Sequence, residues 1–371
     1  MKTVIAFLVA GCCVSVTCVA QIVLNGQTGV HVLKSAPTES QRAVNFGHPL
    51  FGWETVLFVD ASVTENVTAL ITARASEGRE IGFDYAAIRL TDLTPLHLNV
   101  QAGKYVLPFG NLGERRYPRR NPLFGLPLIY EYRSALPNRV TAESDLLSSR
   151  GKGTGMRLLN LGMYDLGGML FGSAGMVEYA FSVTNGTVSS VAYDGGNSNS
   201  DLGKVIRLAI TPMTGFTLGG AYAWGAYLDE SAAPALPQGD LNTYVQKAVE
   251  FDLEFSRGHF VLFGEGVYNT WPVPLETRTE HFDVFGYYLE GKYTLLPRLY
   301  VALRVGGLRF GNVLLGADVR PWDYDVTEWE AGVGYFLDRD VVVKLVRRET
   351  RIQGGSMPKD NLTVLQLAVA Y

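Results

Sequence analysis

Seven arginines crowd into residues 108–150: Arg115, Arg116, Arg119, Arg120, Arg133, Arg139 and Arg150. Set against Glu114, Glu131, Glu143 and Asp145, they leave this stretch with a local positive excess. Planar guanidinium groups hold phosphate or carboxylate through paired N–H donors. Lining a narrow aqueous passage, they would favour anions. Arg115, Arg116, Arg119, Arg120 and Arg133 are therefore the candidate selectivity residues. Two other placements stay open. The arginines could sit at a rim against lipid phosphates, or form a structural clasp in which Arg115 and Arg116 pair with Glu114 or Glu131.

A second set of charges follows a period of two. Glu250, Asp252 and Glu254 alternate with apolar residues, as do Glu328 and Glu330, and Arg304 and Lys344 occupy equivalent positions in neighbouring segments. Alternation places all seven on one face of their strands. An acidic wall opposite a basic loop would create a transverse field, although such pairs also arise as solvated bridges between adjacent strands. Catalytic chemistry is not indicated. The five histidines (His31, His48, His97, His259 and His281) are dispersed without metal-ligand spacing. Nucleophile-elbow, phosphate-loop and zinc patterns do not occur. Neither an enzyme nor a cofactor is expected.

These residues need a scaffold, and composition narrows it. The 371-residue chain is 47% hydrophobic but only 18% charged, with 41 glycines and a net charge of −4. That balance excludes intrinsic disorder, and it argues against a nucleic-acid partner, which calls for a basic surplus. Residues 1–20 read as a cleaved secretory signal peptide, with Lys2, an apolar run and Cys18-Val19-Ala20 before Gln21. Val9-Ala10-Gly11-Cys12 offers a lipoprotein alternative. Cleavage after Ala20 would remove Cys12, Cys13 and Cys18, the only cysteines.

Residues 21–371 then read as an all-β domain. Alternating segments fall at 24–34, 50–62, 65–75, 80–91, 96–107, 151–162, 174–184, 203–212, 215–228, 244–256, 259–271, 282–294, 298–309, 327–337, 340–351 and 361–371. Such runs exceed the usual soluble strand and suit a tilted membrane strand. Tight turns at 63–64, 213–214, 257–258, 295–297 and 338–339 alternate with longer connections. This is the arrangement of a transmembrane antiparallel β-barrel of about 16 strands, with short periplasmic turns and long extracellular loops. Backbone groups facing lipid must all be paired, so the sheet has to close. The 108–150 connection is a third long loop, and folded inward it would constrict the lumen.

Several stretches resemble the phosphate-selective porin O/P family. Ala102-Gly103-Lys104-Tyr105-Val106-Leu107-Pro108-Phe109-Gly110 is similar to its strand-to-loop signature, and Arg150-Gly151-Lys152-Gly153-Thr154-Gly155 to its re-entry into the next strand. Glu178 to Gly186 resembles the following strand and its Asn-Gly exit, and Asp360 to Tyr371 the last strand. The resemblance implies an outer-membrane porin of a Gram-negative-type bacterium, usually a homotrimer, with sixteen strands and an inward third loop. Phosphate-selective members add an arginine constriction and a lysine-rich entrance. Arg115, Arg116, Arg119 and Arg120 match the first by position, but lysines here are sparse and scattered. The expected function is passive diffusion of small hydrophilic, including anionic, solutes, with outer-membrane lipids as surroundings. The competing readings are a surface adhesin or receptor, using loops 185–202 and 229–243, or a scaffold barrel without channel activity.

Overall fold

A computed structural model describes residues 21–35, 50–77, 79–94, 97–160, 163–190, 201–354 and 360–371. The signal segment 1–20 lies outside the described residues. Sixteen antiparallel strands form a closed barrel. The first eight are β1 (Gln21–Ser35), β2 (Leu50–Thr64), β3 (Val67–Ser76), β4 (Arg79–Leu90), β5 (Asn99–Val106), β6 (Tyr164–Ala174), β7 (Val177–Thr184) and β8 (Gly203–Met213). They continue as β9 (Phe216–Ala226), β10 (Val245–Arg257), β11 (Phe260–Pro274), β12 (Thr279–Leu296) and β13 (Leu299–Phe310). A small hairpin, β14 (Asn312–Leu315) with β15 (Asp318–Pro321), stands apart from the barrel sheet. The barrel resumes with β16 (Val326–Asp338), β17 (Val341–Ile352) and β18 (Asp360–Ala370), and β18 pairs with β1 from Ala370↔Gln27 to Leu362↔Ser35.

The period-two pattern decides which way each residue faces. Along β10, Gln246, Ala248, Glu250 and Asp252 are buried inside, whereas Phe251 between them is 70% exposed on the outer surface. Phe51 and Ile81 are each 74% exposed. Large apolar residues outside and carboxylates inside reverse the usual soluble arrangement, as expected of a barrel whose outer solvent is apolar.

The start of β1 and the end of β18 lie at one end of the barrel, together with the tight turns. Gly175, Gly215 and Gly258 adopt positive φ in three of these turns, where a Cβ would be strained. The terminal Tyr371 exchanges both backbone hydrogen bonds with Gly26, at 2.8 and 3.0 Å. A Cβ on Gly26 would collide with the Tyr371 ring, so the glycine makes room for that final aromatic residue.

The sixth strand corrects the sequence expectation. It runs Tyr164–Ala174, not 151–162, and the turn to β7 is Gly175–Met176. Gly151 and Gly153 take φ of +70° and +66°, outside the strand region. Residues 151–160 instead fold back on the loop. Gly155 N donates to Ser134 O at 2.7 Å and Met156 N to Leu136 O at 2.7 Å. The third loop therefore extends over 107–163, beyond the expected 108–150, and Arg150–Gly155 is not a strand entry. It contains a 3-10 turn (Gly113–Arg116), α1 (Leu128–Glu131) and α2 (Glu143–Ser149).

Candidate functional site: the barrel lumen and the third loop

The third loop supplies much of the hydrophobic core. Leu107, Phe109, Leu112, Leu128, Ile129, Tyr130, Leu136 and Leu159 are buried against the inner faces of β9–β13 and β16, among them Ala223, Val267, Phe282 and Leu308. An ordinary polar lumen could not hold such a segment, but these strands turn small or apolar residues inward at the contact. Each fully buried leucine or isoleucine stabilises the docked loop by about 1.5–3 kcal/mol.

Charged groups fix the loop's position. Lys344, fully buried on β17, donates from Nζ to the carbonyls of Pro118 (2.8 Å), Asn121 (3.0 Å) and Leu123 (2.9 Å). The ammonium has three donors, and all three are used. Arg115 is also buried, and its Nη1 lies 3.1 Å from Glu290 Oε1 on β12. Its Nη2 donates to the Tyr288 hydroxyl at 2.9 Å, and its guanidinium lies 3.8 Å from the Phe263 ring centre.

Glu290 begins a row of alternating charge. Cross-strand register pairs Glu290 with Arg304 of β13, Arg304 with Glu330 of β16, and Glu330 with Arg348 of β17. Arg304 lies 2.8 Å from Glu290 and 3.3 Å from Glu330. Opposite charges directly across strands support pairing, and like charges would oppose it. The loop reads this row from above. Phe124 N donates to Glu330 Oε1 at 3.0 Å, and Arg348 lies 3.4 Å from Glu131 of α1.

Two further anchors lie along the loop. Tyr130 donates its hydroxyl to Glu265 of β11 at 2.7 Å, beside Glu250 and Asp252, which share Arg207 of β8. Asp323, buried between β15 and β16, accepts from the amides of Ala135, Gly151 and Tyr324, each at 2.8 Å. Burial pushes its carboxyl up to about 6, against the opposing pull of those three amides.

The loop leaves space beside β1–β4. A cavity of about 670 Å³ lies toward the loop end of the barrel, and one of about 600 Å³ toward the turn end. The first carries four cations (Arg74, Lys104, Arg116, Arg157) and four carboxylates (Glu54, Glu77, Asp84, Glu131). The second carries Arg119, Arg120 and Arg339 against Asp60, Glu114 and Asp340.

The sequence-predicted arginines thus separate. Arg115 is enclosed in protein, and its partner is Glu290, not Glu114 or Glu131. Arg116 borders the first cavity, with its guanidinium 5.2 Å from the Tyr164 ring centre. Arg119 and Arg120 border the second, and Arg120 forms an exposed ion pair with Glu114 at 3.2 Å. Arg133 lies within the loop's own fold, donating from Nε to Gly155 O at 2.9 Å. Glu250, Asp252, Glu328, Glu330, Arg304 and Lys344 face inward but are buried; Glu330, Arg304 and Lys344 contact the loop, the other three pair with wall residues, and Glu254 is the one of the seven left exposed. Sequence reasoning did not single out Tyr117, Tyr130, Glu265 or Asp323. Only Glu265 carried a signal, as an inward-phase carboxylate in an alternating segment.

In sequence, no known family and no curated protein matches the chain. Solved structures do match in fold. The outer membrane channel DcaP of Acinetobacter baumannii aligns with 95% of this chain and 97% of its own, with a TM-score of 0.64 at 11% identity. An anion-selective porin from Comamonas acidovorans aligns over 95% and 100%, with a TM-score of 0.61 at 9% identity. OmpF of Salmonella typhi in complex with daunomycin aligns over 95% and 98%, with a TM-score of 0.61 at 9% identity. The chain has the sixteen-stranded fold of the outer-membrane porins.

Proposed function

We propose that the protein is an outer-membrane porin through which small hydrophilic solutes diffuse passively. The observation that carries this reading is the division of the lumen. The third loop seals the side walled by β9–β16 with apolar packing, and it leaves two charged cavities stacked along β1 and β2. The outward apolar surface supports a lipid setting, with the turns in the periplasm and the loops outside. The porin fold makes a homotrimer the expected assembly.

Selectivity follows from which charges the solute meets. Arg115 is removed from the path, and each cavity lining carries as many carboxylates as cations. Charged groups lining a pore set its preference, so balanced linings give weak ion selectivity. The reading keeps the porin class of the phosphate-selective O/P relatives without their phosphate specificity. Reconstitution of the protein in a planar bilayer tests it. Discrete conductance steps are expected, with a reversal potential near zero under a salt gradient. Replacing Arg116, Arg119 and Arg120 together by alanine is expected to shift that potential toward cations. A wild-type potential near the chloride limit would refute the charge balance. Absence of steps from folded protein would refute the channel and favour a scaffold or adhesin barrel.

A further inference from the structure

We propose that Tyr117 is the gate of this channel: its side chain stands between the outer cavity and the inner one and sets the size of solute that passes. This rests on the porin reading and adds the residue that controls it. Among the residues lining the two cavities, Tyr117 is the one common to both. Its ring spans the gap between opposite supports. The edge of Phe58 on β2 lies 4.9 Å away between centroids, and the Tyr117 hydroxyl lies 3.3 Å from that of Tyr164 at the start of β6. The Arg74 guanidinium lies 5.8 Å from the ring centre.

The backbone beneath the ring cannot move easily. Two residues before it, Arg115 is buried on Glu290, and directly after it the Pro118 carbonyl accepts from Lys344. Arg119 N donates to Gln27 Oε1 on β1 at 3.0 Å. The ring itself is held by one long hydroxyl contact with Tyr164, by its T-shaped contact with Phe58 and by the Arg74 guanidinium, and it is half-buried between two cavities that can receive it. Rotation about the side-chain bonds would join the cavities while the loop stays docked. Side-chain motion of this kind occurs far faster than loop displacement, so the gate flickers open without the loop leaving the lumen.

The test is a substitution series, Tyr117→Ala, Tyr117→Phe and Tyr117→Trp, measured by single-channel conductance and by sugar-driven swelling of proteoliposomes. Pore width governs passage here, so Tyr117→Ala is expected to raise conductance at least about twofold and to admit a larger sugar than wild type. Tyr117→Trp is expected to lower both, and Tyr117→Phe to keep the size limit while raising the mean conductance, because rotamer exchange this fast is averaged within each step. Cysteine occurs only at positions 12, 13 and 18. A Tyr117→Cys channel should therefore lose conductance when a small thiol-specific reagent is added, which tests the position independently of the alanine variant. Wild-type-like conductance and size limit throughout the series would overturn the gate while leaving the channel in place. Silent wild-type protein would overturn channel and gate together.

Discussion

Replacing Lys344 by methionine should loosen the third loop without loosening the barrel. The side chain is one atom shorter, and the three carbonyls of Pro118, Asn121 and Leu123 lose their donor. Hydrogen bonds to a charged group contribute about 1.5–3 kcal/mol each, so three such bonds set the upper scale of the loss. Methionine avoids burying an ammonium, which recovers several kcal/mol. The balance is a loss of about 3 kcal/mol in loop docking, or about two powers of ten in the local opening equilibrium. Hydrogen exchange reads this directly. In the docked loop Phe124 N donates to Glu330 and Leu126 N to Glu131, at 3.0 and 2.6 Å. Both amides should exchange about 100-fold faster in Lys344→Met. The amides of Val343 and Leu345 on β17 belong to the barrel ladder and should be unchanged. Equal protection of Phe124 and Leu126 in the two proteins would refute the claim that the buried ammonium holds the loop.

Other predictions concern the remaining anchors and the outer surface. Asp323→Asn places an amide donor against donors at one of its two positions, and should weaken docking of residues 132–151 by about 2 kcal/mol at neutral pH, measured by exchange at Ala135 and Gly151. In the wild type, the folded carboxyl takes up its proton near pH 6, above its ordinary value of 3.8. The folded state therefore binds more protons between about pH 4 and 6, and docking should weaken as pH rises through that window and then level off. The asparagine variant should show no such slope, and a slope of opposite sign would refute the burial argument. Phe251→Arg puts a charge on the exposed outer face between Gly220 and Gly266. It should destabilise the bilayer-inserted barrel by about 2–4 kcal/mol in reversible folding titrations. An unchanged folding free energy would show that this face does not meet lipid.

Much of the architecture was legible because strand periodicity is a local property. A reader of 244–256 can assign each side chain to one of two faces, and the structure keeps that assignment along β10. The closed sixteen-stranded sheet follows from the same pattern, since apolar outer faces forbid unpaired edges. Local reading failed at 151–162, where scattered apolar residues simulate alternation but glycines at positive φ turn the chain back onto Ser134 and Leu136. It also missed the β14–β15 hairpin inside a long connection.

What the sequence determined by itself was direction: which residues face in, which face out, and that a long arginine-rich connection follows the fifth strand. What only the tertiary structure decided was partnership. Glu290, Arg304, Glu330 and Arg348 are far apart along the chain, and they become neighbours because the hydrogen-bonded register of β12, β13, β16 and β17 sets them in one row. Arg115 reads as a selectivity residue until Glu290 and Tyr288 enclose it. Lys344 reads as a solvated wall residue until three carbonyls from the loop, more than two hundred residues earlier in the chain, close over it. A charge keeps its sign wherever it lies, but whether it meets water or protein depends on closure of the barrel and docking of the loop, and neither is a local property.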